Sequence, residues 1–107
     1  MRVWNGACAV TGLDLSPALK ASHVKPWSKS TAKEKLDYHN GLLLAANLDA
    51  LFDSGLISFE DDGSMLVSKL LSVEHRTYFG IPAKLRHPPS ASLQRYLKYH
   101  RNKEFTP

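Results

Sequence analysis

The sequence predicts an α+β fold, and three observations predict it. Short apolar runs lie between Gly, Pro, Asn and Asp residues, the pattern of strands bounded by turns. Leu48, Leu51 and Phe52 fall at the spacing i, i+3, i+4 of a helix that buries one face. Leu93, Tyr96, Leu97 and His100 extend the same period to i+7 near the C-terminus.

Taken in chain order, Ala7–Gly12 reads as a strand with a glycine stop, and Leu19–Val24 as a second strand. Asp14, Ser16 and Pro17 between them are turn formers, so the two are expected to pair as a hairpin. Pro26 forces the chain out of the second strand just beyond His23. A loop with Asn40-Gly41 follows, leading to Leu42-Leu43-Leu44. Next comes a short helix, with Asn47 as its expected N-cap and Gly55 as its stop. Leu56–Phe59 and Met65–Ser68 flank an Asp62-Gly63 turn, a second hairpin whose acids Glu60, Asp61 and Asp62 are turn residues rather than ligands. Ser72–Tyr78 suits a short helix stopped by Gly80 and Pro82. After Pro88-Pro89, Ser90 or Ser92 can cap the last helix, with Arg95 and Lys98 outside its inward stripe.

The chemistry-bearing residues lie in the first half of this order. His23 is an imidazole at a strand end, Asn40 is an amide that can pin a loop, and Asp49 and Asp53 are spaced i, i+4 on the helix. That spacing puts two carboxylates on one face, roughly 5–6 Å apart at Cβ. Like charges held there are destabilising unless a cation sits between them, so a divalent metal is the natural occupant. The plainer alternative makes Asp49 an aid to the helix N-terminus and Asp53 a solvated carboxylate that opposes the helix dipole. For His23 the plainer alternative is a hydrogen-bonded structural histidine.

The segments Cys8-Ala9-Val10-Thr11-Gly12, Ala21-Ser22-His23-Val24-Lys25-Pro26-Trp27, Asn40-Gly41-Leu42-Leu43-Leu44 and Leu48–Phe59 stand in one order across about half of the chain. Together they resemble the HNH endonuclease family, whose fold is the ββα-metal (His-Me) finger. The resemblance is greatest to the branch with a Ser-His-x-Lys-Pro-Trp, Asn-Gly-Leu and Leu-Asp-x-Leu-Phe-Asp signature, found in restriction-type nucleases. It implies that His23 is the general base that deprotonates the attacking water and that Asn40 ties down the loop carrying it. It implies that Asp49 binds the metal and that Asp53 supplies a further ligand. Two positions depart from the family pattern. Asp49 stands where His or Asn is usual, and Ser22 stands where many members carry an Asp or His ligand. An oxygen-rich set of Asp49, Asp53, Ser22, water and substrate phosphate favours one Mg²⁺ or Mn²⁺. The resemblance also implies products with a 5′-phosphate and a 3′-hydroxyl.

Length and charge set the bounds. The chain has 107 residues, one small domain's worth, with the motif core expected at about 8–59 and a basic helical part at about 69–107. Cys8 is alone, which excludes an internal disulfide framework and a cysteine-held structural zinc, and fits a reducing cytoplasm. No apolar run has the length of a membrane span. The net charge is +4, but its distribution says more. Lys20, Lys25, Lys29, Lys33 and Lys35 cluster in one stretch, and Lys84, Arg86, Arg95, Lys98, Arg101 and Lys103 in another. Such clusters suit phosphate contacts. Lys20, Lys25, Lys29, Arg95, Lys98 and Arg101 are the candidates for touching nucleic acid, with Trp27, a core or lid residue rather than a stacking platform, as a further substrate contact four residues past His23.

The expected function is metal-dependent hydrolysis of DNA phosphodiesters, in a setting such as restriction-modification or phage defence. Target specificity would come from another subunit or a fused domain, and a homodimer would allow both strands to be cut. Three alternatives compete: a binding module of the same fold with weakened catalysis, a nuclease acting on RNA, and a protein-binding adaptor.

Overall fold

The computed structural model describes residues 4–107. Strand β1 (Leu19–Ser22) pairs antiparallel with β2 (Leu42–Ala45), with Lys20 opposite Leu44 and Ser22 opposite Leu42. Between them run a 3-10 turn (Trp27–Lys29) and helix α1 (Ala32–Leu36). Helix α2 (Ala46–Asp53) follows β2 without a break and packs on both strands. A second antiparallel pair, β3 (Ile57–Phe59) and β4 (Met65–Val67), precedes α3 (Val73–Phe79) and α4 (Ala91–Lys103). Leu42, Leu44, Phe52, Ile57, Phe59 and Leu97 are fully buried where α2, the two sheets and α4 meet. The α+β class and its central ββα unit are as expected from the sequence.

The first hairpin is not the expected one. Residues 7–12 form a turn, not a strand: Cys8 N–H donates to the Leu13 carbonyl at 2.8 Å and Gly12 N–H to the Cys8 carbonyl at 3.0 Å. Cys8 Sγ accepts from the backbone N–H of Thr11 and of Ala45 at 3.4 and 3.3 Å, so a buried thiol holds this turn against the start of α2. The apolar content of the segment signals burial, which a turn satisfies as well as a strand does. The true partner of β1 is β2, drawn in across the whole His23–Gly41 loop. The run Leu42–Ala45 is buried on every residue and so lacks the alternation that marks a half-exposed strand. β1 also ends at Ser22, leaving His23 just past the strand.

The helix starts differ in detail. α2 is capped by Ala45, and Asn47 lies inside the first turn with its Oδ1 accepting from Leu48 N–H at 2.9 Å. α1 was not anticipated, although Thr31 and Glu34 form a capping box with each side chain accepting from the other's backbone N–H. The Asp62-Gly63 turn, the 73–79 helix capped by Ser72, and Ser90 as the cap of α4 all follow the sequence reading.

His100 on α4 is buried, its ring lying flat on Phe52 with centroids 3.8 Å apart. Nδ1 is 2.7 Å from Ser58 Oγ and Nε2 donates to the Phe52 carbonyl at 3.0 Å, joining α4 to β3 and to the end of α2. Burial pushes its pKa below the ordinary 6.5, against smaller raising effects from the Phe52 carbonyl and Glu104. At pH above the unfolded value, His100 is neutral in both states and its bonds count in full. As pH falls below about 6.5 the unfolded chain takes a proton that the native state refuses, so stability is lost. Wild type should therefore lose stability between pH 7 and pH 5 by up to about 1.4 kcal/mol per unit more than His100→Gln. Parallel urea titrations of the two proteins check this; superimposable pH slopes would refute it.

Candidate active site

The β1–β2–α2 unit brings Ser22, His23, Asp49 and Asp53 to one open cleft of about 440 Å³, while Asn40 lies outside it. Ser22 closes the β1 ladder, and His23 follows at the cleft wall. Lys20, Ser22, His23 and Trp27 line one side, and Asp49 and Asp53 project into it from α2. Leu48, Leu51 and Phe52 bury the opposite stripe of that helix, so its register in the core sets where the carboxylates point.

The two carboxylates differ in surroundings. Asp53 is exposed and accepts from Ser22 Oγ at 3.0 Å. Asp49 is partly buried, and its pKa is raised, first by desolvation and then by the negative charge of Asp53, while Ser22 and Lys20 act in the opposite sense. A pair of like charges sharing a partly buried wall is relieved by a bound cation. With Ser22 Oγ, the donor set is all oxygen, which fits a hard divalent ion that keeps several waters. Among the described residues, no group of three or more His, Cys, Asp or Glu side chains could hold a metal by itself. The remaining positions would fall to water and substrate phosphate.

His23 is half-buried and meets Trp27 edge-on, ring centroids 5.3 Å apart at 80°. Its Nε2 lies 3.4 Å from the Lys35 carbonyl. A carbonyl only accepts, so this long contact favours the proton on Nε2 and a lone pair on Nδ1. Two residues on, the loop is clamped by Asn40, which is 1% exposed. Its Oδ1 accepts from Lys25 N–H at 2.8 Å, and its Nδ2 donates to the Lys25 and Glu34 carbonyls and to Ser30 Oγ at 3.3–3.4 Å. One buried amide thus holds together both ends of the 25–34 segment.

The basic candidates separate into occupied and open groups. Lys25 pairs with Glu34 at 2.9 Å and lies over the Tyr99 ring, and Lys29 pairs with Glu104 at 2.8 Å. Arg101 donates to the Phe59 carbonyl at 2.8 Å and to Asp61 at 3.0 Å, a structural tie between α4 and the second hairpin. Lys20, Arg95 and Lys98 are exposed and make no ion pair among the described residues. Arg95 and Lys98 lie on α4 and do not line the cleft.

Two cleft residues were missed. His100 and Glu104 complete the wall, brought there because α4 packs on β3 and its end crosses the C-terminus of α2. The helical period marked His100 as inward-facing; no local signal marks Glu104.

A strand followed at once by a histidine, an antiparallel partner, and a helix presenting carboxylates to the same cleft make up a ββα-metal arrangement. Residues 8–60 match the HNH endonuclease family, and the match supports placing the chain in that family of nucleases. No curated protein matches the chain. No helix among the described residues is long and apolar enough to cross a membrane.

Proposed function

We propose that this protein is a metal-dependent DNA endonuclease of the Ser-His-x-Lys-Pro-Trp branch, with His23 as its general base. The observation that carries the reading is the shared cleft, lined together by His23, Asp49, Asp53 and Lys20. His23 Nδ1 accepts a proton from water, whose oxygen attacks phosphorus; the P–O3′ bond breaks and the leaving oxygen takes a proton from solvent, leaving a 5′-phosphate and a 3′-hydroxyl. Asn40 keeps the loop after His23 fixed, so the imidazole is positioned before substrate arrives. Lys20 attracts the phosphodiester backbone to the cleft. Asp49 and Asp53, with Ser22, would hold one Mg²⁺ or Mn²⁺, which supplies positive charge for the oxygens that gain negative charge in the transition state. Trp27 shields one side of His23 from water. Arg95 and Lys98 are free for more distant phosphates; Lys25, Lys29 and Arg101 must first give up their present partners.

The whole chain acts as one domain in this reading, its residues 69–107 adding the α4 surface to the catalytic unit. The buried, unpaired Cys8 suits a reducing cytoplasm. One such cleft cuts one strand, so double-strand breaks would require a homodimer or two events, and target choice a specificity subunit or fused domain.

Supercoiled plasmid incubated with Mg²⁺ or Mn²⁺ tests the proposal. Wild type should nick it and stop when EDTA removes the metal, and the Asp49→Ala/Asp53→Ala double variant should be silent while still binding DNA. Cleavage that persists in EDTA or in the double variant would overturn the metal assignment. A wild type that binds DNA without cutting it under any metal would make the weakened binding module the better account.

A further inference from the structure

Two large side chains stand exposed next to His23 and outside the first cleft, Leu36 at 84% and Tyr38 at 63%, while Trp27, 56% exposed, lines the first cleft itself. Leu36 and Tyr38 edge a second depression of about 170 Å³ that shares Ala21, Ser22 and His23 with the catalytic cleft. His23 is thus a common wall, with the carboxylates on one side and an aromatic–aliphatic rim on the other.

Hydrogen bonds and a ring contact hold the rim to its neighbours. Asp37, between Leu36 and Tyr38, accepts from Tyr96 Oη at 2.7 Å and from His39 N–H at 3.0 Å. Tyr38 rests against the His39 ring, centroids 4.4 Å apart. Lys35 lines the same depression, and its Nζ stands 4.7 Å from the centre of the Trp27 ring, where the cation–π contact keeps it in place. Among the described residues Lys35 has no carboxylate partner. The depression therefore combines a ring face and an aliphatic side chain for an aromatic ligand with a lysine for a backbone phosphate, one step from the proposed scissile position.

We infer that this depression binds an unstacked nucleobase next to the phosphate being cut, so that the substrate is DNA with unpaired nucleotides at the cleavage point. The inference rests on the endonuclease reading above and specifies its substrate class. In an intact duplex the base faces are covered by their neighbours and cannot reach Tyr38 while the phosphate lies beside His23. In a single strand, bubble or junction they can. Stacking on an aromatic side chain strengthens binding by roughly 5- to 150-fold per base, whatever the base. The phosphate contribution does not favour single strands, which release fewer counterions per contact than duplex. A preference for single strands would therefore report the stacking itself.

The test is fluorescence anisotropy with a short labelled oligodeoxynucleotide and its duplex, at one salt concentration and in EDTA so that nothing is cut. Wild type should bind the single strand more tightly than the duplex. Tyr38→Ala should weaken single-strand binding by roughly 5- to 150-fold, and Tyr38→Trp, which restores a ring face, should not. Since Tyr38 is mostly exposed, circular dichroism should show both variants folded. Duplex bound as tightly as single strand by wild type, or single-strand affinity unmoved in Tyr38→Ala, would overturn the inference. The endonuclease reading fails separately, by a single-stranded oligodeoxynucleotide left uncut with Mg²⁺ or Mn²⁺ while the single-strand preference persists. Conversely, metal-dependent cutting without that preference would leave the nuclease and remove only this substrate class.

Discussion

Replacing His23 with alanine is expected to slow DNA cleavage by about 10²–10⁴-fold, the usual contribution of a positioned general base. The loss should fall on the chemical step. His23 lines the cleft, and among the described residues its ring is held by a long contact to the Lys35 carbonyl and the edge of Trp27. Removing it deletes no buried hydrogen-bonded group, so urea denaturation should show stability nearly unchanged and DNA binding in EDTA should persist. Added imidazole should restore part of the rate, because the truncated side chain leaves room at the cleft wall for a base in solution. Plasmid nicking by wild type and variant, matched in metal and salt, measures the effect. Equal rates would place the base on another residue.

The second large effect is on stability, at a position remote from any chemistry. Gly55, directly after the α2 C-terminus, has φ of +77°, where a Cβ costs about 1–2 kcal/mol. A Cβ there would also overlap the carbonyl oxygen of Glu104, because the chain after α4 crosses α2 at this point. Thr106 N–H donates to the Gly55 carbonyl at 2.9 Å, so the C-terminal segment cannot move away without losing that bond. Overpacking of this kind costs a further 1–3 kcal/mol or so. Gly55→Ala should therefore lose roughly 2–5 kcal/mol in urea denaturation. Gly80→Ala is the matched control: its φ is +69° but its Cβ would meet nothing within 4 Å, so only the conformational cost applies. Equal losses in the two variants would show that the C-terminal segment yields freely. Glu104 lines the catalytic cleft and pairs with Lys29, so Gly55→Ala should also disturb the cleft wall.

Comparing the two positions shows what could be read locally. Gly55 was legible as a helix stop, since glycine after an apolar stripe marks the left-handed residue that ends a helix. That a carbonyl from residue 104 presses against it was not legible, because nothing near residue 104 signals where the chain will return. His23, Asn40, Asp49 and Asp53 were legible as candidates because their types and order suit the proposed chemistry, and a helix fixes where i and i+4 point. A buried turn and a buried strand have the same composition, so residues 7–12 are ambiguous by themselves; one of the two contacts that hold the Cys8 thiol comes from Ala45, far along the chain. Leu42–Ala45 went unrecognised as the strand partner because a run buried on both faces has no period. The basic residues were legible as charges but not as free charges. Lys25, Lys29 and Arg101 are engaged by Glu34, Glu104 and Asp61, two of them from distant parts of the chain.

The sequence by itself determined the α+β class, the carboxylate face of α2, the second hairpin, the last helix and its inward histidine. All of these depend on periodicity, caps and turn chemistry within a few residues. Only the tertiary structure decided which strands pair, which lysines remain available, and that His100, Glu104 and the exposed Leu36–Tyr38 rim gather around His23. Those outcomes depend on contacts between residues tens of positions apart, set by how α2, α4 and the two sheets share one core.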